Sequence, residues 1–243
     1  MQNKNIILLN LALSATVISL AALLYLHFVS PEFSPSWRMI SEYAKGKYEW
    51  LLTVFFLSGG LSVWCAAFSI WSLMQDTWGK IGVVLLFISG IGGLMASIFN
   101  ISHPLHGTAA LIGVPTFPLA SILISFNLCK RYPFNHRRLM WAANFTWISI
   151  VLMVITMIAM ISGLKKAGVF HPGTNDAPKT IPIGVIALVG YANRLLILAN
   201  SYWLILVSLE SIKLLKRKNK NDELLYQNYQ GFAEQKITGN KTF

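Results

Sequence analysis

Six long apolar stretches, separated by short polar segments, dominate the chain. They run over Ile6–Phe28, Leu51–Met74, Ile81–Phe99, Thr108–Cys129, Leu139–Gly163 and Leu195–Leu215. Each is close to the length of about 20 residues that an α-helix needs to cross the hydrocarbon core of a bilayer. The first five contain no Asp, Glu, Lys or Arg. Because backbone amides in lipid must be paired within their own segment, and no alternating strand pattern occurs, the sequence predicts an all-α bundle of about six transmembrane helices.

The two ends of this pattern each allow two interpretations. Apolar residues begin near Ile181, well before Leu195, and Gly190 and Arg194 interrupt them. We expect Ile183–Gly190 to be an interfacial or re-entrant segment, and one long tilted helix is the alternative. The N-terminal apolar run is longer than the roughly 7–15 residues of a signal-peptide core, so we interpret it as an uncleaved first span.

The composition agrees with a lipid-facing surface. Hydrophobic residues make up 55% of the 243 residues and charged residues only 12%, whereas a soluble domain carries about 25% charge. The net charge of +11 comes from Lys and Arg at the ends of apolar runs and in the C-terminal region, which is a membrane pattern and argues against nucleic-acid binding. The sequence predicts a multi-pass integral membrane protein, in the plasma (inner) membrane if bacterial, with lipids as partners. The sequence leaves open whether the protein also binds a membrane-protein partner or forms a homo-oligomer.

The distribution of Lys and Arg predicts the orientation. Thirteen lie on the side of the two termini and seven on the other side. The positive-inside rule therefore places both termini in the cytoplasm. Residues 1–215 form the predicted transmembrane domain, and residues 216–243 a polar, disordered cytoplasmic tail whose basic start, KRKNK, lies against anionic headgroups.

Small residues at helical spacing predict where helices pack closely. The third span carries Ser89, Gly93 and Ser97 at intervals of four residues, and the second carries Gly59 and Gly60. Such residues let neighbouring helix backbones approach each other. We expect a packing role, with the second and third helices at the centre of the bundle.

The most concentrated polar motif is HPLHG, in the loop after the third span, with His103 and His106 three residues apart. Two such imidazoles fit binding of a divalent metal such as zinc, or general-base catalysis near neutral pH. A zinc site needs a third protein ligand. The candidates on the same predicted side are His27, His171, Glu42 and Asp176. The alternative interpretation is a pair of interfacial histidines that are hydrogen-bonded to loop backbone.

A second motif, ISEY, precedes the second span and contains Ser41 and Glu42. Glu42 fits either acid–base catalysis or an ion pair with Arg194 that holds the outer loops together. Ser41 is a candidate nucleophile, as is Ser102, although the sequence contains no GxSxG elbow.

The entry to the last helix contains Gly190, Tyr191, Asn193 and Arg194. The planar guanidinium of Arg194 fits the phosphate of a lipid headgroup, with Tyr191 and Asn193 beside it. Snorkelling of Arg194 to the interface is the equally weighted alternative.

Prolines in the fourth span predict a bend below His106. Pro115 and Pro118 each leave a carbonyl without its helical donor, and the bend either opens a cavity toward the polar motifs or fits the helix to the bundle. The middles of the helices contain no carboxylate, lysine or arginine, which argues against an ion-coupled transporter.

The order of these motifs resembles the six-helix membrane family called domain of unknown function 998. The resemblance rests on ISEY, on HPLHG, on the G-x-x-x-R pair Gly190 and Arg194, and on Trp203 after it. It covers most of residues 5–215. The chain is also distantly similar to the Frag1/DRAM/Sfk1 group, which implies a role in lipid remodelling or homeostasis. By resemblance, the positions to test are Ser41, Glu42, His103, His106 and Arg194.

Three functions fit these motifs, and enzymatic activity stays open. The first is a lipid-directed protein in which Arg194 holds a headgroup and Glu42 acts with His103 or His106 as acid and base or as metal ligands. The second is a non-catalytic sensor or scaffold that binds partner proteins. The third is an uncoupled channel or facilitator with a water path past Pro115.

Overall fold

The computed structural model describes the backbone of residues 2–169 and 180–239 and the side chains of these residues up to 222. Its long helices are α1 (Gln2–Val29), α2 (Glu49–Trp71), α3 (Thr77–Ile98), α4 (His106–Arg131), α5 (His136–Lys166) and α6 (Val189–Gly239). All six are long and apolar enough to cross a membrane. The prediction of an all-α, six-helix membrane bundle is confirmed.

Side-chain caps start two of these helices at the end of the bundle that carries the chain's N-terminus. Asp76 accepts a hydrogen bond from the amide of Gly79 over 2.7 Å at the start of α3. Asn135 does the same for the amide of Arg138 over 3.0 Å at the start of α5. These bonds satisfy amides that have no partner within the helix, and they fix where α3 and α5 begin after short turns. This end is called the inner end below.

The opposite, outer end carries the longer connections. One of them contains a short 3-10 helix, Ile40–Lys45, which is called the loop helix. The HPLHG segment joins α3 to α4 at the same end. The motifs that the sequence placed on one side therefore lie at one end of the bundle.

The helices form a closed ring, because consecutive helices pack together and α1 packs against α6. In an apolar stretch of 18 residues within each helix, half of the residues of α6 are buried, compared with 39% for α2 and 33% for α3. Trp203 of α6 is fully buried and donates to the hydroxyl of Ser125 in α4 over 2.8 Å. Helix α6 is therefore more buried than α2 and α3, which the sequence placed at the centre, because it contacts both α2 and α4 across the ring as well as its two neighbours.

Glycines set the closest helix contacts. A Cβ built on Gly93 would lie 3.3 Å from the Cα of Gly60, so α2 and α3 approach each other where the small residues predicted it. The tightest contact between the backbone of α3 and that of a neighbouring helix lies on its other face, toward α4. A Cβ on Gly92 would lie 2.4 Å from the Cα of Gly113 in α4, and the hydroxyl of Ser89 donates to the carbonyl of Gly113 over 2.9 Å.

Residues 180–188 are not helical, so the alternative of one long tilted helix is wrong. Pro182 and Gly184 explain this: proline cannot continue the helical hydrogen bonds, and Gly184 has a φ of 89°. Ile183 is fully exposed and Val185 packs on Gly163 of α5, an arrangement that fits the predicted interfacial segment.

Helix α6 does not end at the predicted domain boundary. Its backbone continues as one helix from Val189 to Gly239, through most of the region expected to be a disordered tail. Its inner part contacts the chain's start, because Gln2 donates to Asp222 over 3.2 Å and Asn219 donates to Asn3 over 3.1 Å. The start of α1 and the part of α6 around Asn219 and Asp222 therefore lie together at the inner end of the bundle.

Candidate functional site

A cavity of about 540 Å3 lies inside the outer half of the ring. Apolar side chains and glycines form most of its wall, and Ser41, His106 and Asn193 lie at its outer rim. Ser201 and Leu204, in the outer third of α6, also line it. Pro115 and His106 both line the cavity, as the interpretation of a cavity beneath the histidine motif expected.

The cavity opens sideways between α4 and α5. Leu111 of α4 and Val154 of α5 line it and are also 74% and 45% exposed. Residues that both line a cavity and lie on the surface mark its mouth. Only 17% of the apolar 18-residue stretch of α5 is buried, which is the smallest share among the six spans. This mouth, between Leu111 and Val154, is called the α4–α5 opening.

Arg194 lies in the second turn of α6, and its side chain donates hydrogen bonds to four groups of the protein. Its Nε donates to Nε2 of His27 over 2.6 Å. Its terminal nitrogens donate to the carbonyls of Arg38 and Gly190 over 2.8 and 2.9 Å, and to the hydroxyl of Tyr43 over 3.2 Å. A guanidinium has five N–H donors, so most of them already have acceptors here.

Glu42 pairs with Arg38 rather than with Arg194. One carboxylate oxygen lies 2.6 Å from Nη1 of Arg38, and the other accepts the amide of Met39 over 2.8 Å. The predicted Glu42–Arg194 ion pair is therefore wrong. The reason is geometric: Arg38 lies four residues from Glu42 in the same loop, and the fork of Arg194 is occupied by carbonyls, an imidazole and a phenol.

Gly190 brings the first outer loop onto the start of α6. The carbonyl of Ser36 accepts the amides of Gly190 and Tyr191 over 2.9 and 3.3 Å. A Cβ on Gly190 would lie 2.4 Å from the carbonyl oxygen of Pro35. The side-chain oxygen of Asn193 accepts the amide of Ile40 over 3.0 Å. The ISEY motif and the G-x-x-x-R motif therefore form one contact between loop and helix.

We call this contact the loop anchor. It consists of His27, Arg38, Glu42, Tyr43, Gly190, Asn193 and Arg194. It fixes the loop helix above the cavity, because Met39, Ile40 and Ser41 line the cavity from the outer side.

The two histidines of HPLHG have different surroundings. His103 is exposed, stacks on Phe99 with ring centroids 4.5 Å apart, and accepts the amide of Leu105 at Nδ1 over 3.1 Å. Nδ1 of His106 lies 2.9 Å from the carbonyl of Phe99. Both rings therefore bond to loop backbone, as the alternative interpretation of this motif expected.

Within the part of the chain that the structure describes, no three His, Cys, Asp or Glu side chains come together as a metal site. Two of the proposed third ligands, His171 and Asp176, lie outside the described residues. A divalent metal such as zinc at His103 and His106 stays a prediction.

The structure separates the predicted site residues into three groups. Ser41 and His106 line the cavity, Glu42 and Arg194 belong to the loop anchor, and Asn193 belongs to both. His103 and Tyr191 lie on the exposed surface, outside the cavity lining.

Sequence reasoning missed the role of His27 as the acceptor for Arg194. Nδ1 of His27 lies 2.6 Å from the carbonyl of Leu23. Since a carbonyl only accepts, the ring donates from Nδ1 and offers Nε2 to Arg194. The position of His27 in the last turn of α1 gives no indication of this partner, which lies 167 residues away in the chain.

Comparison with known proteins gives one family and no activity. The model of a family described as "Protein of unknown function (DUF998)" matches residues 13–210, which include four complete spans, most of the first, part of the last, the loop anchor and the cavity. No curated protein and no solved structure matches the chain.

Proposed function

The chain belongs to the DUF998 family, which is described only as of unknown function, and we propose from the geometry that it binds a membrane lipid. In this proposal the hydrocarbon chain of the lipid occupies the cavity within the ring. The polar end of the lipid lies at the rim formed by Ser41, His106 and Asn193.

The cavity itself is the observation that carries this proposal. Its volume of about 540 Å3 falls within the range of about 300–1,000 Å3 that is usual for small-molecule sites. Polar side chains form only a minor part of the wall below the rim, namely Thr16, Ser19, Ser62, Ser89, Asn200 and Ser201. The apolar atoms of the wall have no dispersion contacts unless a ligand fills the space. Water is a poor occupant beside them because each molecule needs two to four polar partners. A hydrocarbon chain restores the contacts without that requirement.

The route into the cavity supports a ligand from the bilayer. The α4–α5 opening faces the side of the bundle, where lipid surrounds a membrane protein, and its edges at Leu111 and Val154 are apolar. A lipid chain that enters there stays in a hydrocarbon environment throughout. A water-soluble ligand would have to cross the loop helix and its anchor.

The loop anchor acts in this proposal by position. Glu42 and Arg194 do not line the cavity, but they hold Ile40 and Ser41 above it. The distant similarity to the Frag1/DRAM/Sfk1 group points toward lipids as well and stays a prediction. Acid–base catalysis by Glu42 with His103 or His106, or attack by Ser41, also stays a prediction.

The test is to fill the cavity from its wall. Ala96 lines it on α3, and Ala110 of α4 lines it at an exposed position beside Leu111 in the α4–α5 opening. We expect Ala96→Phe, which fills the cavity, and Ala110→Phe, which obstructs its mouth, to reduce the lipid that copurifies with the full-length protein in mild detergent. A phospholipid with a photoreactive group in its acyl chain should label the lining residues of the wild type and label these variants several-fold less. Mass spectrometry of extracted lipid and of labelled peptides measures both.

The matched control is Ala21→Phe, because Ala21 lies on the exposed side of α1 and outside the cavity lining. It should bind and label as the wild type does. Equal lipid content and equal labelling in all three variants, with each one folded, would show that the cavity is not the binding site.

A further inference from the structure

The polar end of the bound lipid can be specified further from the chemistry of the rim. Resting on the proposed lipid binding, we propose that the ligand is an uncharged amphiphile whose polar end carries a hydroxyl group, such as an acylglycerol or another long-chain alcohol. This differs from the anionic phosphate that the sequence suggested for Arg194.

The rim presents polar groups that donate and accept hydrogen bonds, and in the described part of the chain none of them belongs to an Asp, Glu, Lys or Arg. The hydroxyl of Ser41 can do either. Nδ1 of His106 donates to the carbonyl of Phe99, and in the tautomer that carries only this proton Nε2 is an acceptor. The amide nitrogen of Asn193 donates to the sulfur of Met153 over 3.6 Å, and a thioether is a weak acceptor. A hydroxyl group on a ligand matches this mixture, since it also donates and accepts.

The charged groups near the rim are engaged with each other and with backbone. The carboxylate of Glu42 holds Arg38 and the amide of Met39, and Arg194 donates to four acceptors of the protein. Among the described residues, the cavity lining contains no Asp, Glu, Lys or Arg. A phosphate or carboxylate placed at this rim would lose hydration without gaining a partner cation, which is costly in an apolar site.

Exchanging the hydroxyl for a charge on one hydrocarbon chain gives a direct test. The probes are a photoreactive monoacylglycerol, the fatty acid with the same chain, and the lysophosphatidic acid with the same chain. Each is added to the full-length protein in neutral detergent at a pH where the last two are ionised, and saturable labelling of cavity-lining peptides is measured. We expect the monoacylglycerol to bind about tenfold more tightly than either anion, a factor that corresponds to about 1.4 kcal/mol.

A charge added at the rim should reverse this preference. Ser41→Lys places an ammonium at the cavity, and we expect it to raise the affinity for the fatty acid relative to the monoacylglycerol by about tenfold, or about 1.4 kcal/mol. The matched control is Ser102→Lys, because Ser102 is exposed at the same end of the bundle and does not line the cavity. It should leave the preference unchanged.

The outcomes separate this inference from the proposed function. Tighter labelling of the cavity by an anion in the wild type would overturn the neutral-ligand inference and leave lipid binding intact. The same shift in Ser41→Lys and Ser102→Lys would also overturn it, because the rim would then have no special role. Failure of all three probes to label the cavity would overturn both.

Discussion

At the scale of single residues, the loop anchor explains why two distant motifs share one chain. Gly190 admits the backbone of the first outer loop, and Arg194, one turn later, donates to that loop through Arg38 and Tyr43. A planar guanidinium can serve several acceptors at fixed angles, which an ammonium cannot do. The pair Gly190 and Arg194 therefore acts as one unit whose function is to position the loop.

Gly190→Ala should destabilise the protein. The added Cβ would lie 2.4 Å from the carbonyl oxygen of Pro35 and 2.7 Å from that of Arg38, both of them backbone atoms. Overpacking of this kind costs typically about 1–3 kcal/mol. Thermal unfolding of the purified protein in detergent should show a lower midpoint.

Gly107→Ala is the matched control for this substitution. Gly107 lies in the first turn of α4 and an added Cβ would meet nothing within 4 Å. Alanine is favoured over glycine in a helix by about 0.5–1 kcal/mol, so stability should be unchanged or slightly higher. Equal midpoints for the two variants would show that the close approach at Gly190 is not required.

At the scale of helices, α3 packs on α4 through Gly92 and on α2 through Gly93. The two contacts differ in whether they can accept an added methyl group. Gly92 faces backbone of α4, where a Cβ would lie 2.4 Å from the Cα of Gly113 and 2.7 Å from the carbonyl oxygen of Ala109. Gly93 faces α2 with 3.3 Å to the Cα of Gly60. The first contact can accept a methyl group only if two helices separate, whereas the second requires a shift of a few tenths of an ångström.

Gly92→Ala should therefore destabilise the bundle more than Gly93→Ala. Because small residues at membrane helix interfaces provide van der Waals contact between backbones, separating α3 from α4 removes contacts along both helices. Resistance to unfolding in increasing denaturant, measured for both variants beside the wild type, tests this order. A reversed order would mean that α3 packs mainly on α2.

At the scale of the whole molecule, the ring of helices creates both the cavity and its side opening. The α4–α5 opening lies beside α5, the least buried span, while α1 and α6 close the ring on the other side. The contact of Gln2 with Asp222 places the start of α1 beside the inner part of α6. The structure thus fixes that these two segments share a side, and the distribution of Lys and Arg predicts which side.

Both chain ends should be cytoplasmic. Single cysteines introduced near the two ends should stay unlabelled by a membrane-impermeant maleimide in intact cells and react after the cells are opened. Ser102→Cys, exposed in the loop between α3 and α4, should react in intact cells. Labelling of both ends with protection of Ser102→Cys would reverse the predicted orientation.

The sequence alone determined the spans, because the energetic rule that governs them is local. A helix in lipid satisfies its own amides and needs only a sufficient run of apolar residues, so the first five helices contain the predicted stretches almost completely and extend them by a few residues. The sequence also predicted a break before the last helix but placed it at Gly190 and Arg194, both of which lie inside α6, whereas the break lies at Pro182 and Gly184. The family motifs were also recognisable as short strings, since they lie at helix ends where polar residues stand out.

Only the tertiary structure decided how those motifs meet. Whether Glu42 pairs with Arg38 or with Arg194 depends on distances between helices that are far apart in the chain, and composition carries no information about them. The same holds for His27, which accepts from Arg194 across 167 residues, and for Gly92, whose partner lies on another helix. The cavity is a property of the closed ring, so the division of the candidate residues between its rim and the loop anchor could be seen only after the ring was assembled.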